Sequence, residues 1–144
     1  MNLHEYQGKQ LFAEYGLPVS TGYACDTPEE TVAAVEKIGG DMWVVKAQIH
    51  SGARGKAGGI IVCKSHQEVS DAANTLLGKT LVTNQTGPDG LTVSRIYVEE
   101  ASDIKKEYYL GLVFDRSTES IMVVASSEGG MSIEEIAKEK PESI

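Results

Sequence analysis

Four glycines, Gly52, Gly55, Gly58 and Gly59, sit within eight residues and have Arg54 and Lys56 between them. Glycine lets backbone N–H groups approach an anion without side-chain interference, and the two cations can neutralise it. Such a loop can close over the phosphates of a nucleotide. The alternative is a mobile hairpin with solvated cations, and the loop alone leaves both readings open. Lys46 strengthens the first one. It ends the apolar run Met42-Trp43-Val44-Val45 shortly before the loop, where a rigid strand would hold its ammonium as a point charge. From Met42 to Gln67 there is no Asp or Glu, whereas Lys46, Arg54, Lys56 and Lys64 all lie there. A local charge of +4 in a chain of net charge −8 suggests a small phosphorylated ligand. The overall acidity argues against binding nucleic acid.

Familiar phosphate motifs do not account for the loop. A Walker A sequence fails because Ala57 follows Gly55-Lys56 and residue 50 is His; Gly78-Lys79-Thr80 lacks its first glycine, which is Ala73. The glycine spacing does not match the dinucleotide fingerprint, and the segment leads into a strand. Glu99, Glu100, Asp103 and Glu107 read from their residue types alone as solvated acids. Carboxylates beside a cationic site can also accept hydrogen bonds from ribose. His50 borders the loop; His4 and His66 are scattered, and no nucleophile–base pair is legible.

The elements that position these residues follow from periodicity and punctuation. Leu3, Tyr6, Leu11, Phe12 and Tyr15 can share one broad helical face, with charged residues on the other, before Gly16-Leu17-Pro18. A strand fits 22–25. Thr27-Pro28-Glu29-Glu30 starts a helix that ends at Gly39-Gly40. Strands are expected over 42–47 and 60–63, and a helix capped by Ser65 runs to about Leu77. Further strands are expected over 92–99, 106–114 and 120–125, the last two joined at 115–118. A final helix over 131–140, capped by Ser132, completes a mixed α/β order. Cys25 and Cys63 read as packed, reduced thiols with no zinc spacing. No apolar run reaches membrane-spanning length. The opening residues resemble neither a secretion signal nor a transit peptide, so a cytoplasmic location is expected.

Several blocks are more specific than composition. They include Met1-Asn2-Leu3-His4-Glu5-Tyr6-Gln7, Lys9-Gln10-Leu11-Phe12, Tyr15-Gly16-Leu17-Pro18 and the run from Val44 to Gly59. Others are Leu77-Gly78-Lys79, Val98-Glu99, Glu107-Tyr108-Tyr109-Leu110-Gly111, Asp115-Arg116-Ser117 and Ser127-Glu128-Gly129-Gly130. In order and along the whole chain, they resemble the N-terminal part of succinate–CoA ligase β subunits. The resemblance implies an ATP-grasp fold: a complete small lobe over 22–102, and part of a large lobe in 1–21 and 103–144. A CoA-ligase domain would be absent from this chain. It implies that Lys46 meets nucleotide phosphates, that Ala53, Arg54 and Gly55 cover them, and that Glu99, Ser102 and Glu107 line the adenosine side. This reverses the surface reading of Glu99 and Glu107.

The implied reaction joins succinate to CoA at the expense of ATP or GTP, with a partner α subunit supplying the phosphoryl-carrying histidine. The implied Mg2+ ligands lie beyond residue 144, and the 144 residues alone are expected to be inert. Two positions depart from the family pattern. Ala53 stands at a usual glycine, and Ser20 stands where ATP-preferring relatives often have proline. The alternatives are a related acyl-CoA ligase, such as a malate–CoA ligase, and a stand-alone nucleotide-binding module without catalysis.

Overall fold

The computed structural model describes residues 2–130 and 133–144, which form two compact units, one ending at Ser102 and the other starting at Asp103. In the first unit, helix α1 (Glu5–Glu14) precedes strand β1 (Gly22–Cys25), helix α2 (Pro28–Ile38) and strand β2 (Trp43–Ala47). Strand β3 (Ile60–Cys63), helix α3 (His66–Leu76) and the short strands β4 (Thr80–Leu81) and β5 (Leu91–Thr92) follow, and β6 (Ile96–Glu100) closes the unit. Strands β1, β6, β2 and β3 form an antiparallel sheet in that order, while β4 and β5 pair separately.

Thr27 caps α2 by accepting the Glu30 N–H at 3.1 Å, with Pro28 in the first turn; Ser65 caps α3 by accepting the Glu68 N–H at 3.1 Å. Both helices bury apolar stripes, Ala34 and Val35 in α2 and Val69, Ala72, Ala73 and Leu76 in α3. These meet Trp43, Val45, Ala47, Ile96 and Val98 in the main core. Complete burial of each Val, Leu or Ile contributes roughly 1.5–3 kcal/mol. Cys25 and Cys63 are free, buried thiols.

The opposite sheet face is different. Strand alternation and register put Lys46 beside Tyr97 and place Glu99 opposite both Val44 and Gly22 on this face. Helix α1 covers it through charge, with much of the apolar face expected for this helix left exposed. Leu11, Phe12 and Tyr15 are 42%, 54% and 84% exposed, whereas Glu5 and Lys9 reach the sheet. The strand expected over 92–99 also divides. Val93 and Ile96 have opposite parity, so one straight strand cannot bury both; β5 and β6 join different sheets, and Val93 and Ile96 are each fully buried. Pairing of Thr80–Leu81 with β5 was not anticipated.

In the second unit, β7 (Tyr109–Asp115) pairs antiparallel with β8 (Ser120–Ser126), followed by α4 (Ile133–Glu139) and a single 3-10 turn at Pro141–Ser143. Strand β7 begins three residues later than the expected start at 106 and includes Asp115. The Asp115 carboxylate accepts hydrogen bonds from the Ser117 N–H at 2.9 Å and from the Ser117 and Thr118 hydroxyls. The expected cap at Ser132 lies outside the described residues. Among the described residues, no helix is long and apolar enough to cross a membrane.

Candidate functional site

The loop from Gln48 to Gly59 is closed at its base, where the Ala47 N–H donates to Gly59 O at 2.8 Å. Inside it, Gly59 N–H donates to Arg54 O at 2.8 Å and Gly58 N–H to Gly55 O at 3.1 Å. Gly52 is held from outside by Gln85, whose side-chain oxygen accepts its N–H at 2.7 Å. Gly59 allows close approach, since a Cβ there would meet Arg54 O at 3.1 Å and the Leu81 side chain at 2.7 Å. Ala53 has φ of 56°, the left-handed region that favours glycine. Its conformation costs an L-residue roughly 1–2 kcal/mol. Ala53→Gly is therefore expected to raise the urea unfolding free energy by about 0.5–1 kcal/mol, relief of strain being partly offset by greater unfolded-chain entropy.

Arg54 turns back from the loop. One guanidinium nitrogen donates to Ala47 O at 2.6 Å and the other to Glu5 Oε2 at 2.6 Å. Lys46, at the end of β2, donates to the second oxygen of the same carboxylate, Glu5 Oε1, at 2.9 Å. Lys46 also pairs with Glu99, and Lys9 joins both acids: it contacts Glu99 and lies 3.7 Å from Glu5 Oε1. Three cations thus face two carboxylates, leaving +1. Tyr97 lies beneath Lys9, with its ring centroid 5.4 Å from the ammonium.

The electrostatics follow from burial and pairing. Burial alone would raise the Glu5 carboxyl, but the charges and hydrogen bonds of Lys46 and Arg54 hold it down at about 2. Burial alone would lower the Lys46 ammonium; Glu99 and Glu5 instead raise it above its ordinary value, so it stays charged. The Tyr97 phenol is pushed up to about 12 by burial and by the neighbouring Glu99 and Glu5 charges. His50 stacks on His4 with centroids 4.0 Å apart. Burial, followed by His50, Arg95 and Arg54, lowers the pKa of His4.

Among the residues expected at the site, Lys46, Arg54 and Glu99 converge, with Ala53 and Gly55 flanking Arg54 in the loop. Glu99 is buried, 5% exposed, so its residue-type reading as a surface acid is overturned. The Ser102 hydroxyl lies 3.2 Å from that of Ser20, joining two positions the sequence had singled out separately. Glu107 belongs to the second unit, where its carbonyl accepts the Gly129 N–H at 3.2 Å. Glu5 and Lys9 were not foreseen. Their spacing of four in a helix marks an ion pair, yet nothing local ties it to Lys46, 41 residues from Glu5. Lys79 also approaches the loop, its ammonium 3.8 Å from where a Gly58 Cβ would stand.

Among the described residues, no group of three or more His, Cys, Asp or Glu is placed to hold a metal ion. The Glu5 and Glu99 carboxylates are already paired with Lys9, Lys46 and Arg54 and do not fit a resident Mg2+.

A strand-end lysine and a loop arginine therefore converge on the two oxygens of one carboxylate, beside a glycine-rich loop. The ATP-grasp domain family matches residues 2–144. The chain belongs to the ATP-grasp family. Among curated ATP-grasp relatives, the succinate–CoA ligase [ADP-forming] subunit β of Pseudoalteromonas translucida is 62% identical over 144 residues, all of this chain and 37% of the relative. That of Pseudomonas aeruginosa is 60% identical over the same shares. The chain spans little more than a third of the length of these relatives. The fold is shared with an ATP citrate lyase from Methanothrix soehngenii at 21% identity and a TM-score of 0.67, covering 90% of this chain and 32% of that one. A dinucleotide-forming acetyl-coenzyme A synthetase from Ca. Korarchaeum cryptofilum has a TM-score of 0.64 at 23% identity, covering 86% and 53%.

Proposed function

We propose that this chain is the nucleotide-binding part of the β subunit of an ADP-forming succinate–CoA ligase. The observation that carries the reading is the convergence of Lys46 and Arg54, from separate elements, on one anionic group. Two cations held this way can neutralise adjacent phosphate oxygens, and the Ala53-Arg54-Gly55 segment covers them with backbone N–H groups. Glu99 and Ser102 take the adenosine side, with Ser20 beside Ser102 bearing on the choice between ATP and GTP. Residues 22–102 form the small lobe, and 1–21 with 103–144 contribute to the large one. The apolar side chains of Leu110, Leu112, Phe114, Ile121 and Val123, all more than half exposed, support the incompleteness of the latter, since a hairpin alone is marginal in water.

In the intact enzyme the triphosphate is cleaved to drive reversible succinyl-CoA formation, in the cytoplasm, together with an α subunit. Magnesium, where bound with the nucleotide, would neutralise phosphate charge, and its ligands are expected beyond residue 144. The role of the present residues is to bind, orient and desolvate the nucleotide.

The test combines the intact protein with its α subunit, ATP, CoA and either succinate or malate. Acid-dependent ADP release with succinate, at least tenfold slower with malate, is expected if acid selectivity is worth more than about 1.4 kcal/mol. Preference for malate would reassign the enzyme. ATP binding with no acid-dependent turnover would favour a non-catalytic module. The 144 residues alone should not turn over, and turnover by them would refute the division of labour.

A further inference from the structure

Glu5 occupies the position that the phosphate-binding reading reserves for a ligand. Its two carboxylate oxygens are divided between the site's two phosphate cations, Oε1 taking the Lys46 ammonium at 2.9 Å and Oε2 the Arg54 guanidinium at 2.6 Å. The side chain is 19% exposed, so this is a largely desolvated anion, not a rim contact. A phosphate that bridges Lys46 and Arg54 must place its oxygens where those of Glu5 now lie. Both cannot occupy the position together, because an uncompensated pair of anions at contact distance is strongly repulsive.

Building on the nucleotide-site reading above, we propose that Glu5 is a placeholder for phosphate: nucleotide binding exchanges one anion for another, and Glu5 restrains affinity in the empty site. The surrounding contacts make the exchange feasible. Lys9, one helical turn along α1, already pairs with Glu5 Oε1 at 3.7 Å and can retain the released carboxylate. The two cations remain in place without Glu5. Arg54 keeps its hydrogen bond to Ala47 O at 2.6 Å, and Lys46 keeps its pair with Glu99. Removal of the Glu5 charge should therefore free the cations without dispersing them. A residue that merely organises the loop would have the opposite effect, since its loss would weaken binding.

The experiment is calorimetric titration of ATP, in magnesium buffer, into the intact protein and its Glu5→Gln and Lys46→Ala variants. Glutamine is nearly isosteric and retains a hydrogen-bond acceptor, so the change isolates charge. Expected are an affinity roughly tenfold tighter for Glu5→Gln, as removal of a neighbouring like charge implies, and a loss for Lys46→Ala. If Lys46→Ala loses binding while Glu5→Gln binds equally or more weakly, the placeholder is overturned and the nucleotide site stands. If wild type and Lys46→Ala bind equally, the nucleotide-site reading fails, and the placeholder with it. Carbon-13 NMR of the Glu5 carboxyl in the wild-type protein is the measurement that needs no variant. Saturating ATP should move that resonance, and an unmoved resonance overturns the exchange.

Discussion

Lys46→Ala should weaken ATP binding by roughly 10- to 100-fold, the factor that corresponds to one charge-assisted hydrogen bond of about 1.5–3 kcal/mol. The residue is placed for such an effect. It projects from the central strand β2, between β6 and β3, so its backbone is fixed by neighbours on both sides. The ammonium is only partly exposed, and two carboxylates keep it charged. Its removal reduces the cluster from three cations against two acids to two against two, which eliminates the net attraction for a polyanion. Lys46→Arg should recover only part of the loss, because a planar guanidinium cannot reproduce a compact point charge at the same depth. Isothermal calorimetry on the intact protein decides the matter, and equal affinity for wild type and Lys46→Ala would remove Lys46 from the site. The substitution should lower stability as well, since Glu5 and Glu99 would then share fewer counter-charges.

Local chemistry explains why much of the scaffold was legible. Thr27-Pro28-Glu29 and Ser65 are start signals that act within one turn, and both helices begin where those residues require. The apolar run into Lys46 reads as a buried strand, and the glycines make the following segment a loop. Contacts made across the chain were less legible. Glu99 is buried because α1 lies over it, and its partner Lys9 is 90 residues distant. The acid-free segment 42–67 read as a free positive patch, but its acids arrive from Glu5 and Glu99 in other elements. The stripe Leu11, Phe12 and Tyr15 shows the limit of periodicity. A 3.6-residue pattern identifies an apolar face but does not say whether this unit or another surface receives it. The 93/96 parity change is visible in the letters, since strand alternation puts these two apolar residues on opposite faces.

Glu5 also makes the fold sensitive to acid, and the sign of the effect can be worked out. Its folded pKa of about 2 lies below the ordinary value of 4.5. A depressed carboxyl stabilises the fold fully above its unfolded pKa, and the contribution disappears as pH falls through the folded one. The window is thus between about pH 4.5 and 2. The difference of roughly 2.5 units sets an upper bound of about 3 kcal/mol, and solvent screening of the partly exposed cluster reduces it toward 2. Glu5→Gln resembles the protonated acid, so it should be less stable than wild type by that amount at pH 6 and nearly equal to it near pH 2. Urea unfolding of both proteins across this range tests the linkage; a gap that persists unchanged to pH 2 would mean that the carboxylate charge is not what stabilises the fold. Combined with the expected gain in nucleotide affinity, the result would define a trade-off. The same charge that secures the empty site opposes its ligand, and substitution should move stability and affinity in opposite directions.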